Sequence, residues 1–143
     1  LAAWESSGVH EFILLTAHGF DAHQEALATV VTMRARVRVV DIFAVGFHDL
    51  LEGQQEPMHG DELDTSIMLH IAPQFVRMDL AEDYMVSPDA LRRYRRGRIR
   101  VPKGSSGSIG RPSMASAAKG QAIYERIHRK VSERIFVQPP PEE

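Results

Sequence analysis

The feature that most constrains the fold is an apolar segment that ends in a glycine-containing turn and is followed by an amphipathic segment. Glu11–Thr16 predicts a strand, and Asp21–Ala35 predicts a helix with Asp21 as its N-cap. Val37–Phe43 is rich in β-branched and apolar residues, which predicts a second, parallel strand. The order strand, helix, strand indicates an α/β fold, in which sites lie at the carboxyl ends of strands. His18 lies at that end of the first strand.

A second segment, His59–Leu69, places a histidine and several carboxylates directly before an apolar run. The carboxylates belong to Asp61, Glu62 and Asp64, and the run after them predicts a helix over Asp61–Ala72. Two interpretations follow. The carboxylates cap the helix and offset its dipole, or they belong to a metal or general acid/base site. On this segment alone, capping is favoured.

Shorter patterns predict the other elements of a single domain. Ser87 followed by Pro88 is typical of a helix N-terminus, so a short helix is predicted as far as about Tyr94. The remaining predictions are a helix end at Leu1–Ser6, a helical turn at Phe47–Leu51, an extended segment at Val76–Met78, a Gly/Ser-rich loop at Pro102–Pro112 and a long helix at Ser113–Phe136. We assign residues 1–137 to the domain and 138–143 to a solvated tail.

Composition narrows the class of protein. The chain has 143 residues, 43% hydrophobic and 25% charged, which suits one globular domain. A net charge of −2 and a pI near 6.4 supply no overall attraction to nucleic acid or anionic membranes. With no cysteine, any metal must be bound by His, Asp and Glu. No run approaches the roughly 20 apolar residues of a membrane span, so we expect a cytoplasmic protein with no membrane partner.

One segment is strongly basic. Arg92–Arg100 contains six arginines and a tyrosine, a pattern seen in contacts with phosphate or nucleic acid. The alternative is a solvated face, or pairing with the acidic segment Asp79–Asp83 of a neighbouring subunit. Because the chain is acidic overall and has no second basic element, the alternative is favoured, and we expect no nucleic-acid partner.

Three motifs, in order along the chain, resemble those of the creatininase (creatinine amidohydrolase) family. Thr16–Asp21 takes the place of Asn-Gly-His-Gly-Gly-Asn after a strand, and His59–Ser66 matches His-Ala-Gly-x-x-Glu-Thr-Ser before a helix. The third motif is Gly-x-x-Gly-x-Pro-x-x-Ala with a later Lys-Gly, matched by Gly107, Gly110, Pro112, Ala115, Lys119 and Gly120. The resemblance extends over about Leu1–Ile127.

The resemblance implies a three-layer α/β/α fold with a mostly parallel sheet, of which this chain is the carboxyl-terminal portion without the N-terminal part. It implies a metal-dependent amidohydrolase that cleaves a C–N bond of a cyclic or linear amide with a metal-activated water. The implied cofactor is zinc or manganese, with two ions in the complete protein. The implied assembly is a homo-oligomer, a hexamer in the family, with a small-molecule amide as substrate.

The resemblance also implies roles for individual residues. The implied metal ligands are His18, Asp64 and Asp21, so His18 and Asp64 are expected to share one pocket. His59 is implied as the general acid/base or as a substrate-orienting group, and Asp64 alternatively holds His59 in its working tautomer. Glu62 is the second candidate for catalytic proton transfer.

The departures from the family support a second hypothesis. Phe20 stands where creatininase has a ligand Glu; it cannot bind metal, and with His59 it is a candidate for contact with the substrate. The family's Glu-x-His-Gly segment is not present in this sequence. We therefore expect this chain alone to bind divalent metal poorly and to be inactive. The alternative function is a non-catalytic creatininase-like fragment or assembly subunit. His48, after the second predicted strand, is a further candidate for lining the site.

Overall fold

The computed structural model describes residues 1–96 and 104–137, and its amino-terminal half is built on a β-α-β unit. The elements of this half are helix α1 (Ala2–Ser6), strand β1 (Glu11–Thr16), helix α2 (Asp21–Ala28) and strand β2 (Arg36–Asp41). The two strands are parallel, and Thr16 at the end of β1 is paired with Asp41 at the end of β2. The predicted first strand and the parallel pairing are confirmed.

Strand β2 ends two residues earlier than predicted. The carboxylate of Asp41 accepts a hydrogen bond from the backbone N–H of Phe43 at 2.9 Å, which turns the chain out of the sheet. The strand therefore ends on an acidic side chain, beside the end of β1.

Helix α2 is shorter than predicted, and its N-cap is Phe20, with Asp21 as the first helical residue. The sequence after the helix is Thr-Val-Val-Thr, and a helix restricts the side-chain rotamers of such β-branched residues. The carboxylate of Glu5 then accepts hydrogen bonds from three successive backbone N–H groups, those of Met33, Arg34 and Ala35. The predictions of a helix over residues 29–35 and of an Asp21 N-cap are therefore wrong.

The second half is helical. Its helices are α3 (Glu62–Ile71), α4 (Pro88–Arg95) and α5 (Ala117–Ser132), and a π-helical turn, Glu133–Val137, follows α5. Asp61 caps α3, and the hydroxyl of Ser116 caps α5 by accepting the N–H of Lys119 at 3.2 Å. The core of this half consists of Phe47, Leu51, Leu63 and Ile123, with partly buried neighbours around it.

Helices α3 and α5 cross at Gly120. A Cβ atom at this position would lie 1.9 Å from the backbone oxygen of Ser66, so no larger residue fits without moving a helix. Lys119, the preceding residue, points its ammonium at Glu62 of α3. The Lys-Gly pair of the third motif therefore joins the two helices by a close approach and an ion pair.

The helix predictions differ in accuracy. The predicted α3 and the helix starting after Ser87 are confirmed, and the Ser87 hydroxyl accepts the N–H of Ala90 at 3.2 Å. The last helix begins later than predicted, because Pro112–Met114 forms a single 3-10 turn in which Ser113 is bonded to Asp83. Of the predicted extended segment Val76–Met78, Val76 is extended, whereas Met78 begins a short 3-10 helix, Met78–Leu80; another 3-10 helix, Pro73–Phe75, precedes Val76.

Three predictions lie partly or wholly outside the described residues, namely residues 97–100 of the basic segment, residues 102 and 103 of the Gly/Ser-rich loop, and the tail 138–143. Within the described part of the basic segment, Arg92 pairs with Asp89 of its own helix. The guanidinium of Arg96 lies 3.8 Å from the carboxylate of Asp21. Among the described residues, no helix combines the length and apolar character needed to cross a bilayer.

Candidate active site

A cleft of about 1090 Å³ lies at the carboxyl ends of the two strands, between the sheet and the start of α3. Its polar and aromatic lining includes residues from both halves of the chain, namely His18, Phe20, Asp41, His48, Glu56, His59 and Asp64. The parallel pairing of β1 with β2 brings the first three of these together, as expected for the end of a β-α unit. The histidines of the two separate motifs and the carboxylate of Asp64 therefore line one cavity.

The backbone on either side of His18 is fixed by neighbouring side chains. The Thr16 hydroxyl accepts the N–H of His18 at 3.2 Å, and the Gln24 amide donates to the carbonyl of His18 at 2.7 Å. The centre of the His18 ring lies 5.2 Å from that of the His23 ring and 6.0 Å from that of the Phe20 ring. The Nε2 atom of His23 is in turn hydrogen-bonded to the Thr16 hydroxyl at 2.8 Å. The imidazole is exposed, so it can meet a ligand in the cleft.

Asp41 is a lining residue that the sequence analysis treated only as part of a strand. Its pairing opposite Thr16 places it at the same edge of the sheet as His18. A usable signal was present in the sequence, because an acidic residue directly after the apolar Val39-Val40 pair belongs to the carboxyl end of a strand. His48, named as a candidate, lines the cleft as well.

His59 and Asp64 form the opposite wall. The backbone of His59 exchanges two hydrogen bonds with Ile109, at 3.1 and 2.7 Å, and its side chain is exposed towards the cleft. The carboxylate of Asp64 accepts the N–H of Gly60 at 2.8 Å. Gly60 has a φ of 54°, a conformation that favours glycine at the tight turn between the two residues.

Burial raises the pKa of Asp64, and the negative charge of Asp61 raises it further. The N–H of Gly60 and the charge of His59 act in the opposite direction, which means that His59 is near enough to influence this carboxyl group. A histidine and a carboxyl group that interact electrostatically at the mouth of a cleft are suited to proton transfer.

Glu62 does not line the cleft. Its carboxylate is fully buried and accepts hydrogen bonds from the backbone N–H of Glu52 at 2.9 Å and of Gly53 at 2.7 Å, and from the Lys119 ammonium at 2.5 Å. Burial acts to raise its pKa, but these donors outweigh burial and the pKa is lowered. Glu62 is thus an ionised group that joins α3, α5 and the loop before α3.

The expected metal ligands do not all come together. His18 and Asp64 line the cleft, whereas Asp21 lies in the first turn of α2 outside the lining, near Arg96. Within residues 1–96 and 104–137, no group of three or more His, Cys, Asp and Glu side chains is arranged to bind a metal ion. A catalytic zinc normally has about three protein ligands, so the described residues do not fit a complete metal site.

Comparison with known proteins identifies a family. The family model described as "Creatininase: Creatinine amidohydrolase" matches residues 1–135. No curated protein matches the chain. A solved structure of a candidate creatinine amidohydrolase from Bacteroides fragilis NCTC 9343 is similar with a TM-score of 0.64 and 20% identity, covering 98% of this chain and 59% of that one. A crystal structure of creatinine amidohydrolase (creatininase) is similar with a TM-score of 0.65 and 21% identity, covering 98% and 60%.

These likenesses confirm the predicted α/β fold of creatininase type with a parallel sheet. The chain spans about three fifths of the length of each of the two solved proteins. At this level of identity the structural likeness concerns the fold alone.

Proposed function

We propose that this chain, which belongs to the creatininase family, contributes the histidine and carboxylate walls of an amidohydrolase active site. The reaction is hydrolysis of a C–N bond in a cyclic or linear amide. The observation that carries the proposal is the shared cleft of His18, His59 and Asp64, which are separated in sequence and belong to two different motifs.

Amide hydrolysis requires that a proton leave the attacking water and that the leaving nitrogen receive one. We assign this transfer to His59, because its side chain is exposed in the cleft next to an ionisable carboxyl group. Asp64, held by the N–H of Gly60, orients the imidazole and selects its tautomer. Phe20 is half-buried in the cleft lining beside His18 and supplies an apolar contact for the substrate.

Glu62 was the second candidate for proton transfer. Its carboxylate is enclosed by three donors and faces away from the cleft lining, so we assign it the role of holding the start of α3 in place. Proton transfer in this proposal therefore rests on His59.

The family resemblance adds a divalent metal, zinc or manganese, to the proposal. His18 is the ligand type that both ions accept, and Asp64 offers an oxygen. Because the described residues do not fit a complete metal site, no step of the reaction is assigned to a metal in this chain. A homo-oligomer, in the form of a hexamer, remains a prediction of the resemblance, and a cytoplasmic location remains a prediction of the composition. Light scattering on the purified protein tests the first of them.

The test is a kinetic and metal assay with creatinine, other cyclic amides and linear amides, carried out on the complete protein, for which the resemblance implies two metal ions. We expect His59→Gln to lower kcat by about 10²–10⁴-fold, the usual contribution of a general acid/base, and to leave metal content unchanged. His18→Ala should lower both kcat and the metal content. His128→Gln is the matched control, since His128 is an exposed histidine on α5 outside the cleft lining. Full turnover by the His59 variant would overturn the assignment.

The second candidate function is a non-catalytic creatininase-like subunit. The presence of Phe20 in place of a ligand Glu favours it, as does the incomplete ligand set of the described residues. Failure of the complete wild-type protein to hydrolyse any of the amides, together with the absence of bound metal, would support this candidate against the enzyme.

A further inference from the structure

The two carboxylate oxygens of Asp61 accept hydrogen bonds from two different parts of the protein. One oxygen caps α3, accepting the N–H groups of Leu63 at 2.9 Å and Asp64 at 3.0 Å. The other accepts the N–H of Met58 at 2.6 Å and the side-chain amide of Gln54. The side chain is fully buried and does not line the cleft. A helix cap needs only the first oxygen, so the second set of bonds requires a different explanation.

Gln54 extends this contact to a third segment. Its side-chain amide nitrogen also donates to the carbonyl of Glu56 at 2.7 Å, and its side-chain oxygen accepts the N–H of Arg111 at 3.0 Å. A Cβ atom on Gly110 would lie 2.5 Å from both the Gln54 side chain and the Asp61 side chain, so the three residues are in close contact. The side chain of Gln54 is only 7% exposed, which makes an unpaired amide here costly.

The residues between these bonds form a wall of the cleft. Gln55–His59 all line the cavity, and this segment is attached at one end through Gln54 and near the other through Met58. The same Asp61 side chain caps the helix that carries Asp64. One carboxylate is therefore bonded both to the His59 wall and to the start of the helix that carries Asp64.

We propose that Asp61 is a positioning residue of the amidohydrolase site, which through Gln54 and Met58 holds the Gln55–His59 wall against the start of α3. This inference rests on the proposed function, since it assigns a purpose to the relative placement of His59 and Asp64. Groups that transfer protons must be held close to their productive geometry, and a displacement of about 1 Å can lower a rate about 10²-fold.

The substitution Asp61→Asn separates positioning from capping. Asparagine is as good an N-cap as aspartate, so the oxygen bonded to Leu63 and Asp64 is preserved. The Asn amide nitrogen, which replaces the other oxygen, cannot accept from Met58 or Gln54, both of which are donors at this point. If Asp61 served only as a cap, the variant would behave as wild type. If Asp61 positions the wall, the variant loses its bonds to Met58 and Gln54, and the Gln55–His59 segment becomes more mobile.

The experiment measures kcat and KM of the complete protein on cyclic and linear amides, and hydrogen exchange along the backbone. For Asp61→Asn, well below its unfolding temperature, we expect kcat to fall about 100-fold, with a smaller change in KM. Amide exchange should rise in residues 54–59 and stay unchanged in α3. Asp83→Asn is the control, because Asp83 also accepts a backbone N–H and a hydroxyl, both from Ser113, but lies outside the cleft lining.

Gln54→Met provides a second variant should the first fail to fold, since it removes the amide and leaves the cap intact. An unchanged kcat in a folded variant whose 54–59 amides exchange faster would overturn the inference. Unchanged exchange in this segment would overturn it as well. A wild-type protein without amidase activity would remove the proposed function, and the exchange measurement would then decide by itself whether Asp61 holds the wall.

Discussion

The helical half and the sheet half of the molecule are held together in different ways. In the helical half, Leu63 and Ile123 are completely buried, and the polar side chains of Asp61, Glu62 and Ser66 are buried with them. In the sheet half, helix α2 has no buried residue, and Leu15 in β1 is 57% exposed.

This difference indicates which of the two walls of the cleft is held more rigidly. The two buried carboxylates in the described part of the helical half, those of Asp61 and Glu62, each have several hydrogen-bond donors, so a small displacement of α3 would leave charges unpaired. The sheet half depends on the backbone bonds between β1 and β2, on the buried side chains of Phe12 and Val40, and on the half-buried residue Glu5. The wall that carries His59 and Asp64 is thus more firmly held than the one that carries His18, and stability measurements can test this comparison.

The largest effect is expected at Gly120, where α3 and α5 cross. Gly120→Ala should lower the free energy of unfolding by about 3 kcal/mol or more, because the added carbon meets the backbone oxygen of Ser66, which cannot move without shifting a helix. Gly19→Ala in the sheet half is the control: nothing lies within 4 Å of its added Cβ, so the change should stay within about 0.5 kcal/mol. Urea unfolding of both variants measures the difference, and equal losses would contradict the comparison.

An intermediate effect is expected at the buried ion pair. Lys119→Met should lower the free energy of unfolding by about 3 kcal/mol, the low end for a broken buried pair, because the Glu62 carboxylate keeps two backbone donors. Lys130→Met is the matched control, since it breaks an exposed pair with Glu133 and should cost less than about 1 kcal/mol. Thermal and urea unfolding check both values; similar losses would mean that Glu62 does not depend on Lys119.

The smallest effect is expected in the sheet half, at Glu5, and it should depend on pH. The backbone N–H groups of Met33 and Ala35 lower the pKa of Glu5 from its ordinary value of 4.5. Because the pKa is lower in the folded protein, Glu5 stabilises the fold above pH 4.5 and loses this contribution as the pH falls through its folded-state value. Glu5→Gln should therefore be less stable than wild type at neutral pH, with a difference that shrinks in acid. Glu25→Gln on α2 is the control, and unfolding at several pH values measures the trend; a constant difference would show that the Glu5 charge is not involved.

Several parts of the site could be predicted from local sequence. A strand followed by a glycine-containing turn placed His18 at the end of β1, and Asp61 followed by an apolar run indicated the start of α3 within one residue. These features depend on backbone propensity and on capping, which act over a few neighbouring residues. The helix predicted through residue 35 failed because a carboxylate 28 to 30 residues away, that of Glu5, binds the backbone of residues 33–35.

By itself, the sequence determined the family, the α/β order of elements and the residue types of the cleft, because motif spacing and periodicity are local properties. Only the tertiary structure decided which carboxylates face the cleft and which are enclosed. Asp64 and Glu62 are two positions apart on α3, and 100° of helical rotation per residue sends one into the cleft and the other towards Lys119. The acidic residue after Val39-Val40 indicated a strand end, but only the pairing of Asp41 with Thr16, 25 positions away, placed that end beside His18 in the lining.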